Sequence, residues 1–331
     1  TTAMNWTYDS GDFDALLNTL ERRTVGFTKR RTDAKTQGML RGLGIAHYIK
    51  GVRAGAGEAA RLEIALDGSA TIFICNQSNG QGHETVFAQA VSERLGIDIN
   101  RIRMVQGDTD RIQTGGGTGG SRSMLNGIPA CDNASLAVIE NGTRFAAEAM
   151  EAAEVDIEYE DGVFQITGTD RTMTLAEVAN LATERDEILD GEAQFAADGM
   201  TFPNGSHACE VEVDPETGST RVVGYWAIDD FGRLVNPLLL EGQVQGGLAQ
   251  GIGQALMEHC VYDDTGQLIS GSFMDYCVPR ADDMPHFVID LVEDYPCTTN
   301  PMGIKGAGEA GAVAAPPAVI NAILDALAPL G

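Results

Sequence analysis

Residues 60–107 read ARLEIALDGSATIFICNQSNGQGHETVFAQAVSERLGIDINRIRMVQG, and this stretch sets the fold class. Ala60–Leu66 and Ala70–Asn76 are β-like runs. His83–Leu95 is helical, with Val86, Phe87, Ala90, Val91 and Leu95 forming its buried stripe. Ile102–Gly107 reads as a further strand. The order is β-β-α-β, and it returns downstream. Ser206–Val213 and Thr220–Asp229 flank the turn Asp214–Gly218, Pro237–Glu258 is helical, strand signals follow at Val261 and Phe287–Val292, and a helix closes the chain. Two β-β-α-β modules predict a mixed α+β fold rather than a doubly wound parallel sheet.

Outward from these modules the pattern is plainer. Ser10 is placed to cap an amphipathic helix carrying Phe13, Leu16, Leu17 and Leu20. Thr24–Gly38 reads as a polar connection and Leu43–Ile49 as a strand. A Gly-rich loop precedes a long helix from about Asn126 to Ala153. Val155–Gly199 reads as two short strands about Asp161-Gly162 and a helix at Leu175–Thr183. The expected division is an amino-terminal segment 1–37, a first module 38–200 and a second module 201–331.

The 331 residues carry a formal net charge of −26. Nucleic acid and anionic membrane surfaces are therefore poor partners, since both require a basic face. Six cysteines are scattered without a C-x-x-C pair, which excludes a disulfide scaffold, a zinc site and iron–sulfur spacing. A reducing cytoplasmic setting is expected, and no signal peptide is visible. The apolar tail 310–330 is interrupted by Pro316, Pro317, Asn321 and Asp325, so no membrane span is expected there.

Glycine stands out: 40 residues, about 12% against a usual value of about 7%. Four clusters hold a polar side chain among glycines at or near a helix start: Gly80–Thr85, Gly115–Ser123, Gly242–Gly246 and Gly303–Gly311. Backbone N–H groups at helix starts suit anions, and absent side chains admit a ligand to the backbone. Any one cluster is more simply a turn or cap; four together favour a large, phosphate-bearing ligand. Gly115, Gly117, Gly120 and Gly306, Gly308, Gly311 both fit G-x-G-x-x-G. The first follows the polar turn Asp108-Thr109-Asp110, and the second leaves no room for a following strand, so neither is a dinucleotide fingerprint. Glu309 lies between Gly308 and Ala310-Gly311. It reads equally as a first-turn carboxylate serving the helix dipole or as a general base in a close-fitting pocket. His83 is more simply a helix-start residue than a ligand.

Taken together, Gly80–Thr85 with Phe87-Ala88-Gln89, Val105–Asp110, Gly119–Ser123 and Gly306–Ile323 closely resemble the large subunit of the molybdenum hydroxylases. That family includes xanthine dehydrogenase, aldehyde oxidase and aerobic carbon monoxide dehydrogenase. The resemblance covers nearly all of the chain from Tyr8 onward. It implies a molybdenum–molybdopterin cofactor in its cytosine dinucleotide form, with the metal held by the pterin dithiolene and by no protein ligand. It implies catalytic roles for Glu309, as general base, and for Gln81, which reaches the metal's oxo ligand. Gly80, Gly82, Gly117, Thr118, Gly119, Gly120, Ser121, Arg122, Ser123, Gln243, Gly306 and Gly308 are the implied cofactor contacts. Gln81, Gly115–Gly120, Ser121, Ser123, Gln243 and Glu309 are expected to converge on one face or cleft.

The implied reaction is hydroxylation of an aldehyde, an N-heterocycle or carbon monoxide. Water is the oxygen source, and electrons leave through 2Fe-2S clusters to FAD on partner subunits or domains. The implied partners are an amino-terminal half of the same subunit, an iron–sulfur subunit, an FAD subunit and a small-molecule substrate. The chain opens Thr1-Thr2-Ala3-Met4 and enters the resemblance midway, so it reads as an excised second half that does not turn over alone. The non-enzyme alternative is a cofactor-binding or assembly module of the same fold; retention of Glu309, Gln81 and Gln243 argues against it.

Overall fold

The computed structural model describes residues 2, 5–53, 55–112 and 114–330. Residues 1, 3 and 4 of the expected amino-terminal segment lie outside the described residues. The chain forms two compact units. Unit 1 comprises Thr1–Val52, Thr201–Thr298 and Gly303–Gly331; unit 2 comprises Arg53–Met200 and Thr299–Met302. The division expected at residue 37 thus lies at residue 52. The strand before it pairs along its whole length with a strand of the later residues, so it cannot belong to the middle of the chain.

Unit 1 begins with α1 (Phe13–Arg23), α2 (Phe27–Thr36) and β1 (Leu40–Ile49). The cap of α1 is Asp12, not Ser10: its carboxylate accepts a hydrogen bond from Ala15 N at 3.0 Å. Leu16 and Leu20 are the buried face. Helix α2 replaces the expected polar connection. It has no apolar stripe to betray it, and Ala34 is its one buried residue. Ionic contacts dock it instead: Arg30 Nε lies 3.0 Å from the buried Glu210 carboxylate, and Arg31 pairs with Asp325.

Unit 2 then contains β2 (Glu58–Ile64), β3 (Ala70–Ile74), α3 (His83–Leu95), β4 (Ile102–Gln106), α4 (Ser123–Ala149), β5 (Ile157–Glu160), β6 (Val163–Ile166), β7 (Thr172–Thr174), α5 (Leu175–Glu184) and β8 (Asp190–Phe195). Its main sheet runs β4-β3-β2-β8. Strands β2 and β3 are antiparallel, while β4 returns parallel to β3 after α3. This is the β-β-α-β module read from residues 60–107. Strand β8 was not foreseen; its sequence DGEAQF lacks the β-branched residues that mark strands. The chain re-enters unit 1 with β9 (Asn204–Val213), β10 (Thr220–Asp230), α6 (Pro237–Leu256), β11 (Phe287–Val292) and α7 (Ala310–Leu327). The sheet order is β1-β9-β10-β11, with β10 and β11 parallel. The signal at Val261 yields only an isolated bridge, Tyr262 with Leu268.

Each unit therefore contains a β-β-α-β module whose sheet gains one more antiparallel strand with a further helix laid on it, beside α1 and α2 in unit 1 and β5–β7 with α5 in unit 2. In unit 2 the extra strand is β8, later in the chain; in unit 1 it is β1, earlier. Glycine lets the extra helix lie directly on that strand in both. A Cβ at Gly191 of β8 would stand 2.5 Å from Val138 N of α4, and one at Gly42 of β1 would stand 2.5 Å from Ala326 N of α7. Helix α7 answers with an alanine face: Ala310, Ala314, Ala315, Ala318, Ala322 and Ala326 are buried. Gly44→Ala would push a methyl into the backbone of α7 at Ala318 and Ala322. Such overpacking costs about 1–3 kcal/mol, and a denaturant midpoint equal to wild type would contradict the packing described.

Pro316 and Pro317 do not interrupt α7, which runs unbroken from Ala310 to Leu327. Each proline removes one internal hydrogen bond, but the close-packed alanine face holds the helix to the sheet. The helix is long and apolar enough to cross a membrane by length and composition; here its buried face packs on β1 and β9. Asn321 and Asp325, expected to break the segment, tie it down. Asn321 Nδ2 donates to Ile45 O at 2.9 Å, and Leu43 N donates to Asp325 Oδ2 at 2.8 Å. They satisfy backbone groups on the outer side of the edge strand β1, which need a partner.

Candidate functional site

In unit 2 the turn before α3 meets the Gly-rich loop before α4. Gly82, at φ +82°, is the N-cap of α3, and no side chain caps that helix. Gln81 is half-buried and folds back over its own turn: Asn79 N donates to its Oε1, and its Nε2 donates to Gln77 O at 3.4 Å. Gln77 joins the two segments. Its Oε1 accepts from Thr118 N at 2.8 Å, and its carbonyl accepts from the Thr118 hydroxyl at 2.6 Å. Ser123 Oγ reaches Thr118 Oγ1 at 3.3 Å.

A buried carboxylate that sequence reading missed sets the shape of this loop. Glu58, 1% exposed, accepts from Cys75 N at 3.1 Å, Asn76 Nδ2 at 3.0 Å and Gly116 N at 3.1 Å. Asn76 Nδ2 also donates to Gly117 O at 3.0 Å. Burial pushes the Glu58 carboxyl up, while the Gly116 and Cys75 N–H groups and the Arg122 charge pull it down. The legible signal was a glutamate on the inward side of a strand shared with Ala60, Leu62 and Ile64. Glu58→Gln keeps an acceptor for Cys75 but turns an N–H₂ toward Gly116 or Asn76. An unsatisfied buried donor costs about 1–3 kcal/mol, so a lower denaturation midpoint is expected; equal stability would show that the loop does not depend on the carboxylate.

The loop itself is backbone held open. Gly117 and Gly120 have φ +63° and +59°, and Ser121 takes φ +65°, a conformation costly for any residue with a side chain. A Cβ at Gly80, Gly119 or Gly120 would meet no atom of the described residues within 4 Å. At Gly119, neither crowding nor positive φ requires glycine, so the open space suits a ligand rather than the fold. Arg122 donates to Gly116 O, and its Nε is buried with no partner among the described residues.

Nearby, His83 is 3% exposed, meets the Phe87 ring at a tilt and places Nδ1 3.4 Å from Asn76 O. Burial lowers its pKa. The neutral ring is thus preferred in the fold, and protonation favours the unfolded chain once pH falls below the ordinary histidine value of about 6.5. His47 of unit 1 is lowered for the same leading reason. Stability should fall between pH 7 and 5.5, and His47→Gln with His83→Gln should flatten that slope; an unchanged slope would assign it to other groups.

In unit 1, residues Gly303–Gly306 are buried and the loop emerges at Gly308-Glu309. Gln243, on α6, donates through Nε2 to Gly308 O at 2.7 Å. Glu309 is the N-cap residue of α7, yet its side chain makes no capping hydrogen bond. Its carboxylate is 52% exposed and pairs with Lys50 at the end of β1. The helix-serving reading of Glu309 therefore finds no capping contact. Lys305 in the same loop is buried against Asp230. Lys50, Lys305 and Asp230 were not foreseen. Within unit 2 the structure thus joins the Gln81 turn to the 115–123 loop; within unit 1 it joins Gln243 to the Glu309 loop.

The model of the molybdopterin cofactor-binding domain family matches residues 21–285. The chain belongs to that family. Subunit gamma of the 6-hydroxypseudooxynicotine dehydrogenase complex from Paenarthrobacter nicotinovorans is 38% identical, over 90% of this chain and 38% of its own length. The carbon monoxide dehydrogenase large chain of Afipia carboxidovorans is 30% identical, over 98% of this chain and 43% of that protein. Among solved structures, quinoline 2-oxidoreductase from Pseudomonas putida 86 superposes with a TM-score of 0.89 at 33% identity, over 100% of this chain and 45% of that one. The chain spans less than half the length of these relatives. The expected kinship with molybdenum hydroxylase large subunits and the α+β class are both borne out.

Proposed function

We propose that this chain is the cofactor-holding and base-bearing part of a cytoplasmic molybdenum hydroxylase. The cofactor is molybdenum–molybdopterin in its cytosine dinucleotide form. The carrying observation is the loop 115–123, where Gly119 is glycine with no crowding to require it, Ser121 is held at positive φ, and Arg122 keeps a buried Nε without a partner among the described residues. Such a loop fits a phosphate-bearing ligand that takes hydrogen bonds from backbone N–H and from Arg122. Gly80, Gly82 and the uncapped start of α3 extend the surface, with Gln81 offering its amide. Thr118, Ser121 and Ser123 supply hydroxyls. Gly306 and Gly308 keep the Glu309 loop slender. Gln243 braces that loop, and Gly242 and Gly246 of α6, like Gly119, meet nothing of the described residues within 4 Å.

When bound, the cofactor supplies the redox centre that oxidises a small molecule with water as the oxygen source. Glu309 takes up the proton that this reaction releases, as a carboxylate at the tip of its loop. Electrons leave for partner subunits carrying 2Fe-2S clusters and FAD, and the upstream half of the same subunit completes the protein. The relative named for quinoline oxidation, 33% identical, supports an N-heterocycle as substrate ahead of carbon monoxide, whose enzyme is 30% identical.

The test is metal and nucleotide analysis of the full-length subunit purified from cells that make the cofactor. One molybdenum and one acid-released cytidine monophosphate per subunit are expected, and Arg122→Ala should lower both. Folded full-length protein carrying neither would sink the proposal. The 331-residue chain expressed alone should retain little molybdenum.

A further inference from the structure

Glu309 stands at the head of α7, where the free N–H groups favour a nearby negative charge. Here it makes no capping hydrogen bond and points instead to Lys50. Lys50 is built for this contact. It follows directly on β1, its backbone N donates to Pro203 O at 2.9 Å, and its side chain is only 19% exposed. Two neighbouring side chains are engaged elsewhere. Gln243 from α6 is neutral and engages Gly308 O, and Lys305 of the same loop is committed to Asp230.

We propose that Lys50 is a positioning residue for Glu309: its ammonium holds the carboxylate ionised and turned away from the N-terminus of α7. A base that capped its own helix would have its oxygens occupied by backbone N–H groups. Paired with a lysine at a half-exposed site, it can be released, because such a pair is weak enough to open. The inference rests on the reading of Glu309 as base for its consequence, but the pairing itself does not.

Two measurements on the full-length subunit separate the two ideas. The first follows Glu309 in cofactor-free protein by isotope-edited infrared titration, with Glu309→Gln to assign the carboxylate band. Lys50→Met should move the protonation midpoint to higher pH by up to about 0.7 pH unit, the upper worth of an exposed pair at about 1.4 kcal/mol per unit, and Lys50→Arg should restore it. An unmoved midpoint in Lys50→Met overturns the proposal. The second follows the acid limb of kcat/KM in the loaded enzyme, which should move in the same direction. A lysine that merely supported the fold would lower the rate at every pH without moving that limb. A shifted infrared midpoint with a fixed acid limb would support the pairing and remove Glu309 from the role of base.

Discussion

Replacing Glu309 by glutamine in the full-length, metal-loaded enzyme is expected to slow reduction of the cofactor by substrate by at least ~10²–10⁴-fold, the range that general-base catalysis contributes. Glutamine has the same size and can hydrogen-bond, but its amide does not accept a proton at working pH. The structure says the loss should be confined to the rate. Glu309 is 52% exposed, its side chain caps nothing, and the bond that starts α7, Val313 N to Glu309 O at 3.2 Å, belongs to the backbone. The substitution gives up the ion pair with Lys50, and an exposed ion pair is worth about 0–1 kcal/mol. Folding and molybdenum content should therefore stay normal. Glu309→Asp should be intermediate to severe, because one methylene less withdraws the carboxylate from reach. Anaerobic stopped-flow reduction measures both variants. A glutamine variant with normal molybdenum and a near-normal rate would return Glu309 to a helix-start residue and end the proposed mechanism.

What could be read from the sequence, and what could not, follows from where the signal resides. The modules were legible because strand and helix periods alternate cleanly between residues 60 and 107, and helix α3 begins and ends where its glycines stand. Helix α2 was hidden because FTKRRTDAKT has no apolar face; Arg30 and Arg31 dock it through Glu210 and Asp325, about 180 and 290 residues away. Strand β8 was hidden because β2 defines it, not its own composition. Three of the four Gly clusters were legible as turns or loops leading into helices, while Gly242–Gly246 lies inside α6. The groups that shape them were not, since Glu58, Lys50 and Lys305 each act through partners distant in sequence. A lone charge in an apolar or glycine-rich run is the available clue, and it names a residue without naming its partner.

Lys305 offers the sharpest test of that last group, and Lys305→Met is expected to cost unit 1 about 3–5 kcal/mol. Its Nζ donates to Asp230 Oδ2 at 2.6 Å, and both side chains are completely buried. Asp230 also accepts from Asn204 Nδ2 at 3.0 Å and from Gly232 N at 2.9 Å. The strand end and the Glu309 loop meet there: Lys305 N donates to Phe231 O at 2.8 Å, and Arg233 N to Gly303 O at 3.0 Å. Methionine fills the same space but leaves a carboxylate in the core with two neutral donors and no cation. The cost comes from that stranded charge rather than from the lost attraction, and the double variant separates the two. Lys305→Met with Asp230→Asn removes the charge and keeps an oxygen for Gly232 N, and Asn204 Nδ2 keeps Phe202 O as an acceptor. It should recover most of the loss. Urea unfolding followed at constant m-value gives both numbers. A single variant within about 1 kcal/mol of wild type, the worth of a surface pair, would show that Asp230 does not depend on Lys305 and that the loop bearing Glu309 is anchored by its backbone alone.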